Sequence, residues 1–364
     1  MAIPSPEEQV HFLMSLQRLL DEGSFTSTYK YALLIAIADI CVEMGNDTGD
    51  AMQVALTEIA EKFIQYYWRQ AVPYPSSKKH EILYQSNGNQ AAIINWLTKL
   101  HPKYQHSLAR AKHNEGEWRN TTNAVALKVK EMPLKRLQVI AGEVLCFLYP
   151  HDVKDGQITL FKGVAFCFRR FHGMITRMVQ SAWIDEIRAL GNNQRVLGQK
   201  KDLAEFLFGS ERASLSAYQA ILREAQQGQC FYCMRPIRAS AVIDHFIPWS
   251  RYPVDLGHNF MLAHAECNSS KGYHLAAYPH LKRWIARNTT YGQSLADEFD
   301  SSVLPQDFHD SHGIAYWAYE QNTLVNGLTW DSNGYFSRQP TEWCKLFNSS
   351  LPQALLDTRR IFSL

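Results

Sequence analysis

Residues 230–271 contain two short pairs of side chains that can bind a metal, and the predictions for the rest of the chain start from them. The stretch begins with CFYC (Cys230–Cys233), continues with VIDHFIPW (Val242–Trp249) and closes with HNFMLAHAECNSSK (His258–Lys271). Each pair encloses two residues, and 30 residues separate the first pair from the second. Three thiols and one imidazole at this spacing are typical of a structural Zn2+ site.

The four predicted Zn2+ ligands are Cys230, Cys233, His264 and Cys267. Because Zn2+ binding replaces the large core that so short a segment cannot build, the pattern predicts a metal-stapled finger. His258 or His274 could take the place of His264, although neither has the same offset from Cys267. In the alternative interpretation the cysteines are small buried hydrophobic residues that bind no metal.

A strand-like apolar run, Val242–Ile247, is interrupted by the polar pair Asp244 and His245. A buried carboxylate and imidazole are costly without partners, so the pair calls for a chemical explanation. Phosphodiester hydrolysis supplies one, because a neutral imidazole such as that of His245 takes the proton from an attacking water. Asp244 and Asn268 offer the oxygen ligands that a hard divalent ion, Mg2+ or Mn2+, prefers. The amide of Asn259 would hold the loop and orient the imidazole.

These residues resemble the HNH (His-Me finger) endonuclease family, and in particular a stand-alone bacterial branch with a zinc-stapled finger. The resemblance covers residues from 230 to about 287 and implies a β-hairpin, a loop and a helix around one catalytic metal. It implies that His245 is the general base, that Asp244 and Asn268 bind Mg2+ or Mn2+, and that Asn259 positions the loop. The third motif residue of the family is often His, and the Asn268 of this chain keeps a metal ligand there.

Positive charge is concentrated in the middle of the chain. Residues 1–98 carry 6 Lys or Arg against 11 Asp or Glu, residues 99–200 carry 17 against 8, and residues 201–364 carry 14 against 16. A local basic excess interleaved with aromatic residues predicts a DNA-contacting face, and the alternative is a basic surface that is only solvated. The candidate phosphate contacts are Lys271 and His274 at the end of the finger, and Arg169 and Arg170 within a predicted helix.

Outside the finger, helical periodicity dominates. It predicts helices near 8–20, 31–38, 51–68, 90–100, 163–190, 281–288 and 314–326, and strands near 138–149 and 157–161. The fold class is therefore mainly α with small β elements (α+β), in which helical domains flank a ββα-metal finger with a zinc knuckle.

The length of 364 residues and the hydrophobic fraction of 46% indicate a globular chain of several domains. We expect a helical N-terminal domain at 1–100, a basic α+β middle region at 101–208 that binds DNA, the HNH nuclease domain with its zinc site at 209–290, and a mainly helical C-terminal region at 291–364.

The termini and the remaining cysteines bear on the compartment. The start, Met1–Glu8, lacks a basic segment followed by an apolar one, so we expect no signal peptide. The longest apolar run, Tyr31–Val42, contains Asp39 and is too short to cross a membrane. Single cysteines in apolar contexts fit buried thiols in a reducing bacterial cytoplasm. These cysteines are Cys41, Cys146, Cys167 and Cys344.

Two classes of function remain open. In the first, the chain is a metal-dependent HNH endonuclease that hydrolyses DNA, nicking one strand per encounter, with structural Zn2+ and catalytic Mg2+ or Mn2+. The resemblance suggests a role in restriction or anti-phage defence, with foreign or phage double-stranded DNA as substrate, possible protein partners and no membrane. In the second, the chain is a zinc-stabilised DNA-binding or scaffold protein without turnover. RNA is the least favoured substrate, because nothing in the stretch is suited to a 2′-hydroxyl.

Overall fold

The computed structural model describes residues 3–23, 26–75, 77, 80–151, 156–197, 203–209, 212–238 and 240–348. The chain forms two compact units, unit 1 at 1–209 and unit 2 at 210–364. The finer division into four regions stays a prediction, and residues 349–364 of the expected C-terminal region lie outside the described residues. Small two-stranded sheets among many helices confirm the mainly α, α+β fold class.

Unit 1 is largely helical. Its helices are α1 (Pro6–Glu22), α2 (Tyr29–Met44), α3 (Leu56–Trp68), α4 (Ala92–Leu100), α5 (Leu108–His113), α6 (Glu115–Glu131), α7 (Pro133–Arg136), α8 (Val164–Ala189), α9 (Gln194–Leu197) and α10 (Leu203–Phe208). Its strands are β1 (Met52–Ala55), β2 (Val139–Ile140), β3 (Glu143–Val144) and β4 (Gln157–Leu160).

Helix α2 lies at the centre of unit 1. It is apolar on every side, and nearly all of its residues are buried against α8 and α3. A helix without a polar face is stable only when other elements surround it, which explains its central position. Among the described residues no helix is both long and apolar enough to cross a membrane.

One helix prediction and one strand prediction in unit 1 were wrong in their extent. Residues 52–55 of the helix expected at 51–68 form β1, which pairs antiparallel with β4, and α3 begins only at Leu56. The single strand expected at 138–149 is a tight hairpin of β2 and β3. Its turn residues, Ala141 and Gly142, have φ of 51° and 87°, and such positive values suit a two-residue hairpin turn. The short strand expected near 157–161 is confirmed as β4.

Unit 2 combines helices with two hairpins. Its helices are α11 (Gln219–Ala225), α12 (Ala265–Lys271), α13 (Tyr278–Ser301), α14 (Phe308–Leu324) and α15 (Lys345–Asn348). Its strands are β5 (Val242–His245), β6 (Phe260–Ala263), β7 (Leu328–Ser332) and β8 (Tyr335–Arg338).

Strands β5 and β6 and helix α12 form the expected ββα arrangement. The two strands are antiparallel, with Asp244 opposite Met261 and His245 opposite Phe260. Helix α12 follows β6 after one residue and ends where Gly272 adopts a positive φ of 52°. Only seven residues long, this helix depends on its neighbours for stability.

Helix α13 contacts the loop that leads into β6 and holds it in place. Arg287 donates hydrogen bonds to the carbonyl oxygens of His258 (2.7 Å) and Phe260 (2.9 Å). The loop also lies directly on the helix, because a Cβ added at Gly257 would come within 2.5 Å of the Phe299 ring. These contacts fix the chain on either side of Asn259.

Hairpin β7–β8 was not expected in the C-terminal region. Trp330 on β7 is buried and donates from Nε1 to the hydroxyl of Ser270 on α12 at 3.0 Å. Tyr335 on β8 does not pack in the core, since it is 71% exposed. Strand β8 is exposed on both faces and its sequence does not alternate, which is why the pattern gave no strand signal.

Candidate zinc site and active site

The four predicted zinc ligands come together in unit 2. One ligand atom from each of Cys230, Cys233, His264 and Cys267 lies within 4.8 Å of every other. The first pair belongs to a tight turn in which Met234 donates its N–H to the Cys230 carbonyl at 2.9 Å and adopts a φ of 58°. The second pair lies at the start of α12, so a bound metal would join the turn to the helix.

His264 has the orientation of a ligand. Its Nδ1 faces the Cys233 sulfur at 3.3 Å, and its Nε2 lies 3.3 Å from the Pro236 carbonyl oxygen. Metal-bound histidines usually donate the second ring N–H to such an acceptor. The other two histidines that we considered lie elsewhere, because His258 bonds to the Gly292 carbonyl and His274 packs on Phe336.

Two thiols of the cluster, Cys233 and Cys267, have pKa values that are shifted in opposite directions. Burial alone would raise the pKa of Cys233, but hydrogen bonds from Arg235 and His264 lower it to about 6. Burial and repulsion from Cys230 and Cys233 raise the pKa of Cys267 to about 12. A divalent cation relieves this repulsion, since it binds all three sulfurs as thiolates. The donor set therefore fits a structural Zn2+.

His245 at the end of β5 forms a pair with an aspartate. The Nε2–H of His245 donates to Oδ1 of Asp255 at 2.7 Å. The two side chains are 16% and 22% exposed, so solvent screens the pair only partly. The imidazole packs edge-on against Phe260 and Trp249. With the proton held on Nε2 by the carboxylate, the Nδ1 lone pair is the basic one.

Asp244 precedes the histidine and is buried. Its Oδ2 accepts a hydrogen bond from the Tyr232 hydroxyl. The same oxygen forms an ion pair with Lys271 Nζ at 2.9 Å. Within the described part of the chain, no group donates to its Oδ1. One carboxylate oxygen thus accepts from two donors, while the other accepts a hydrogen bond from none of the described residues.

Asn268 and Asn259 take different positions. Asn268 lies three residues before Lys271 on α12, so the two side chains are on one face of the helix. Lys271 on this face contacts Asp244 on β5. Oxygen donors from a carboxylate and a carboxamide fit Mg2+ or Mn2+. The Asn259 amide bonds to both backbone groups of Ile247, accepting from its N–H at 2.8 Å and donating to its carbonyl at 3.1 Å.

Two of the candidate phosphate contacts are not at the surface. Lys271 has a fully buried side chain that bonds to Asp244 and to the His245 carbonyl, so it is not available to a phosphate. The side chain of Arg169 in unit 1 is 1% exposed and pairs with Asp47 at 2.9 Å. The same guanidinium donates to two carbonyls at the C-terminal end of α2, which need donors from outside the helix. These two predictions are corrected accordingly.

The other two candidates are partly exposed. His274 is half-buried beside Phe336, and Arg170 is half-buried on α8. Neither position excludes the DNA contact that we expected, which stays a prediction for both residues.

Sequence reasoning missed Asp255 and Tyr232. Asp255 lies in the irregular loop between β5 and β6, ten residues after His245, and no periodicity links the two. Tyr232 lies between the first two zinc ligands, and this position gave no sign that its hydroxyl would bond to Asp244.

The ββα arrangement, the Cys3His cluster and the His245 site together define an HNH endonuclease domain. Residues 230–274 match the HNH endonuclease family. Residues 10–207 match the family described as Domain of unknown function (DUF8808), and because this match spans more than half of the chain, the chain belongs to that family. No curated protein and no solved structure matches the chain.

Proposed function

We propose that this protein is a divalent-metal-dependent HNH endonuclease that hydrolyses phosphodiester bonds in DNA. The proposal rests chiefly on the pair formed by His245 and Asp255 next to Asp244, at the end of a strand in an HNH domain. A zinc-stabilised DNA-binding protein without turnover has no need of an imidazole held by a carboxylate at this position.

His245 would act as the general base. Its Nδ1 takes a proton from the attacking water while Asp255 stabilises the imidazolium that results. Asn259 holds the backbone of Ile247, two residues after the base, and so limits movement of the loop that carries it. A base held in this way keeps its lone pair directed at one point, which lowers the entropic cost of the reaction.

Asp244 and Asn268 would hold the catalytic cation, Mg2+ or Mn2+. When bound, the cation supplies stabilisation of the negative charge that develops on the phosphate and on the leaving oxygen. The role of Asp244 is supported by its Oδ1, which accepts a hydrogen bond from none of the described residues, and the role of Asn268 by its place on the helix face that meets β5. Zinc at the four-residue cluster would have only a structural role.

Unit 1 would contribute DNA affinity. Arg169 is buried and is not among the residues that support this role. Exposed basic side chains on α5, α6 and α7 support it instead. These residues are Arg110, Lys112, Arg119, Lys135 and Arg136. Contacts of this kind are to phosphates and give affinity without base specificity.

With one general base and one cation per chain, a single encounter would cut one strand. We infer a nicking enzyme on this ground, in which a double-strand break needs two events or two chains. Foreign or phage double-stranded DNA in the bacterial cytoplasm is the substrate that fits a defence or restriction role, alone or with protein partners.

The test is incubation of supercoiled plasmid with the zinc-loaded protein in the presence of Mg2+, Mn2+ or EDTA. We expect an open-circle product that requires the cation and is absent with His245→Ala. His11→Ala is the matched control, because this histidine is exposed on α1. Equal nicking by His245→Ala and the control would contradict the proposal. DNA binding by the wild type without cleavage in any cation would favour the non-enzymatic alternative.

A further inference from the structure

Two buried donors converge on a single oxygen of the Asp244 carboxylate. The Tyr232 hydroxyl donates to Oδ2, and Lys271 Nζ contacts the same Oδ2 at 2.9 Å. The Lys271 side chain is fully buried, and Tyr232 is buried as well. Since both contacts are to Oδ2, rotation of the carboxylate would break both at once. The two contacts therefore hold the carboxylate in one orientation, in which neither donor bonds to Oδ1.

The two donors come from the two segments that hold the zinc ligands. Tyr232 lies between Cys230 and Cys233, and Lys271 lies one turn after Cys267 at the end of α12. A metal bound by the cluster fixes these segments relative to each other, because it has ligands in both. Tyr232 and Lys271 thus link the position of Asp244 to the geometry of the zinc cluster.

Further contacts restrain both donors. The Tyr232 ring packs edge-on against Trp330 and His280, and Arg283 donates to the Phe231 carbonyl at 3.1 Å in the same turn. Lys271 Nζ also donates to the His245 carbonyl at 2.9 Å. One ammonium group thus holds both the carboxylate of Asp244 and the backbone of the neighbouring base.

Burial gives these contacts their strength. The side chains of Tyr232 and Lys271 are both buried, so their contacts with Asp244 lie in a low-dielectric site. Moving Asp244 away would leave the buried Tyr232 hydroxyl without its partner and would leave Lys271 Nζ with only the His245 carbonyl, which is costly in a low-dielectric site.

We propose that Tyr232 and Lys271 are positioning residues, which hold Asp244 so that its Oδ1 faces the catalytic cation, and that the zinc-binding segments preset this orientation. The inference rests on the proposed function, since it assumes that Asp244 binds the cation. It assigns to the zinc cluster a role in the active site beyond stabilising the fold.

The test is the affinity of the zinc-loaded protein for Mn2+ alone, measured by electron paramagnetic resonance without DNA. Tyr232→Phe removes one oxygen atom, and we expect it to weaken Mn2+ binding by about 10-fold while one zinc per chain is retained. Tyr319→Phe is the matched control, because this buried tyrosine donates to the Ala276 carbonyl and not to Asp244. Lys271→Arg, which keeps the charge but displaces the donor, is the second variant should Tyr232→Phe fail to fold.

Asp244→Asn separates the positioning role of Tyr232 and Lys271 from the role of Asp244 as a cation ligand. If Asp244→Asn weakens Mn2+ binding but Tyr232→Phe and Lys271→Arg bind Mn2+ as the wild type does, the positioning role is overturned and the proposed function stands. If Asp244→Asn binds Mn2+ as the wild type does, the positioning role and the assignment of Asp244 as a cation ligand are both overturned, while nicking by the wild type but not by His245→Ala still supports the nuclease. Weakening in Asp244→Asn and Tyr232→Phe, but not in Tyr319→Phe, supports the inference.

Discussion

His245 donates from Nε2 to Asp255 at 2.7 Å, so the imidazole at the end of β5 is held by a carboxylate from the following loop. Replacing the carboxylate with an amide permits the opposite tautomer, in which Nδ1 carries the proton and cannot act as a base. We expect Asp255→Asn to lower kcat for plasmid nicking by about 10- to 100-fold, a part of the total contribution of a general base.

The control for Asp255→Asn is Asp297→Asn, at an exposed aspartate on α13. A positioning role predicts a fall in kcat with little change in KM, and a change in the 15N chemical shifts of the His245 ring that reports the tautomer. Unchanged kcat and unchanged ring shifts in Asp255→Asn would exclude this role.

The hydrogen bonds of Asn259 lead to a prediction about the stability of unit 2. Its amide satisfies both backbone groups of Ile247 inside the domain, and its side chain is buried. Asn259→Ala leaves a buried N–H and a buried carbonyl without partners, at about 1–3 kcal/mol each. We expect the free energy of unfolding of unit 2 to fall by about 2–4 kcal/mol in urea titrations. A loss well below about 1 kcal/mol would contradict this account.

The zinc cluster and the ββα fold were accessible from the sequence because they depend on local spacing. Cys-x2-Cys and His-x2-Cys place ligands on one side of a turn or of a first helical turn, whatever surrounds them. Asp244 and His245 were found because polar residues interrupt an apolar strand. Each of these signals lies within a few neighbouring residues.

Long-range contacts could not be predicted in this way. Lys271 looked like a phosphate contact because a lysine on a short helix is usually solvated, and its burial depends on Asp244, 27 positions earlier. Arg169 was misjudged similarly, since its partner Asp47 is 122 positions away. Strand β1 was missed because its partner β4 is far away in the sequence, with Ala55 paired to Gln157.

A pH dependence follows from two buried histidines of unit 2. Burial lowers the pKa of His258 to about 4, and burial also lowers that of His312 to about 4. In the unfolded chain each titrates near its ordinary pKa of about 6.5. As the pH falls below about 6.5, the unfolded chain therefore takes up protons that the folded chain does not, and stability decreases.

Between pH 7 and pH 5 we expect each of the two histidines to reduce the free energy of unfolding by about 2 kcal/mol. His258→Gln should flatten this slope in urea titrations of zinc-loaded protein, with zinc content followed in parallel. His11→Gln, at an exposed site, should keep the slope. A slope that is the same in all three proteins would argue against buried neutral imidazoles.

Substitutions of Arg169 and Arg119 should have different effects. The first should lower stability, and the second should lower DNA affinity. Arg169→Met leaves Asp47 and the end of α2 without the guanidinium, and breaking such a buried pair costs about 3–5 kcal/mol. Arg119 is exposed on α6, so Arg119→Ala should keep stability and lower DNA affinity. Its expected signature is a decrease of about 1 in the slope of log affinity against log salt.

Both arginine variants are best measured on a short duplex by fluorescence anisotropy, in a His245→Ala background that does not cut the DNA. Thermal unfolding in parallel reports stability. A reduced salt slope with Arg169→Met in protein that remains folded would restore Arg169 as a DNA contact.

Removal of one zinc ligand should affect unit 2 as a whole. Cys230 is a buried member of the four-residue cluster, whereas Cys344 is half-buried in the same unit and outside the cluster. Because apparent binding energies of structural Zn2+ are about 10–16 kcal/mol, Cys230→Ser should lose the metal and the cooperative unfolding transition of unit 2. Cys344→Ser should keep one zinc per chain, measured by atomic emission, and the wild-type transition. Retention of both zinc and the transition by Cys230→Ser would mean that the cluster does not bind the metal that holds this unit together.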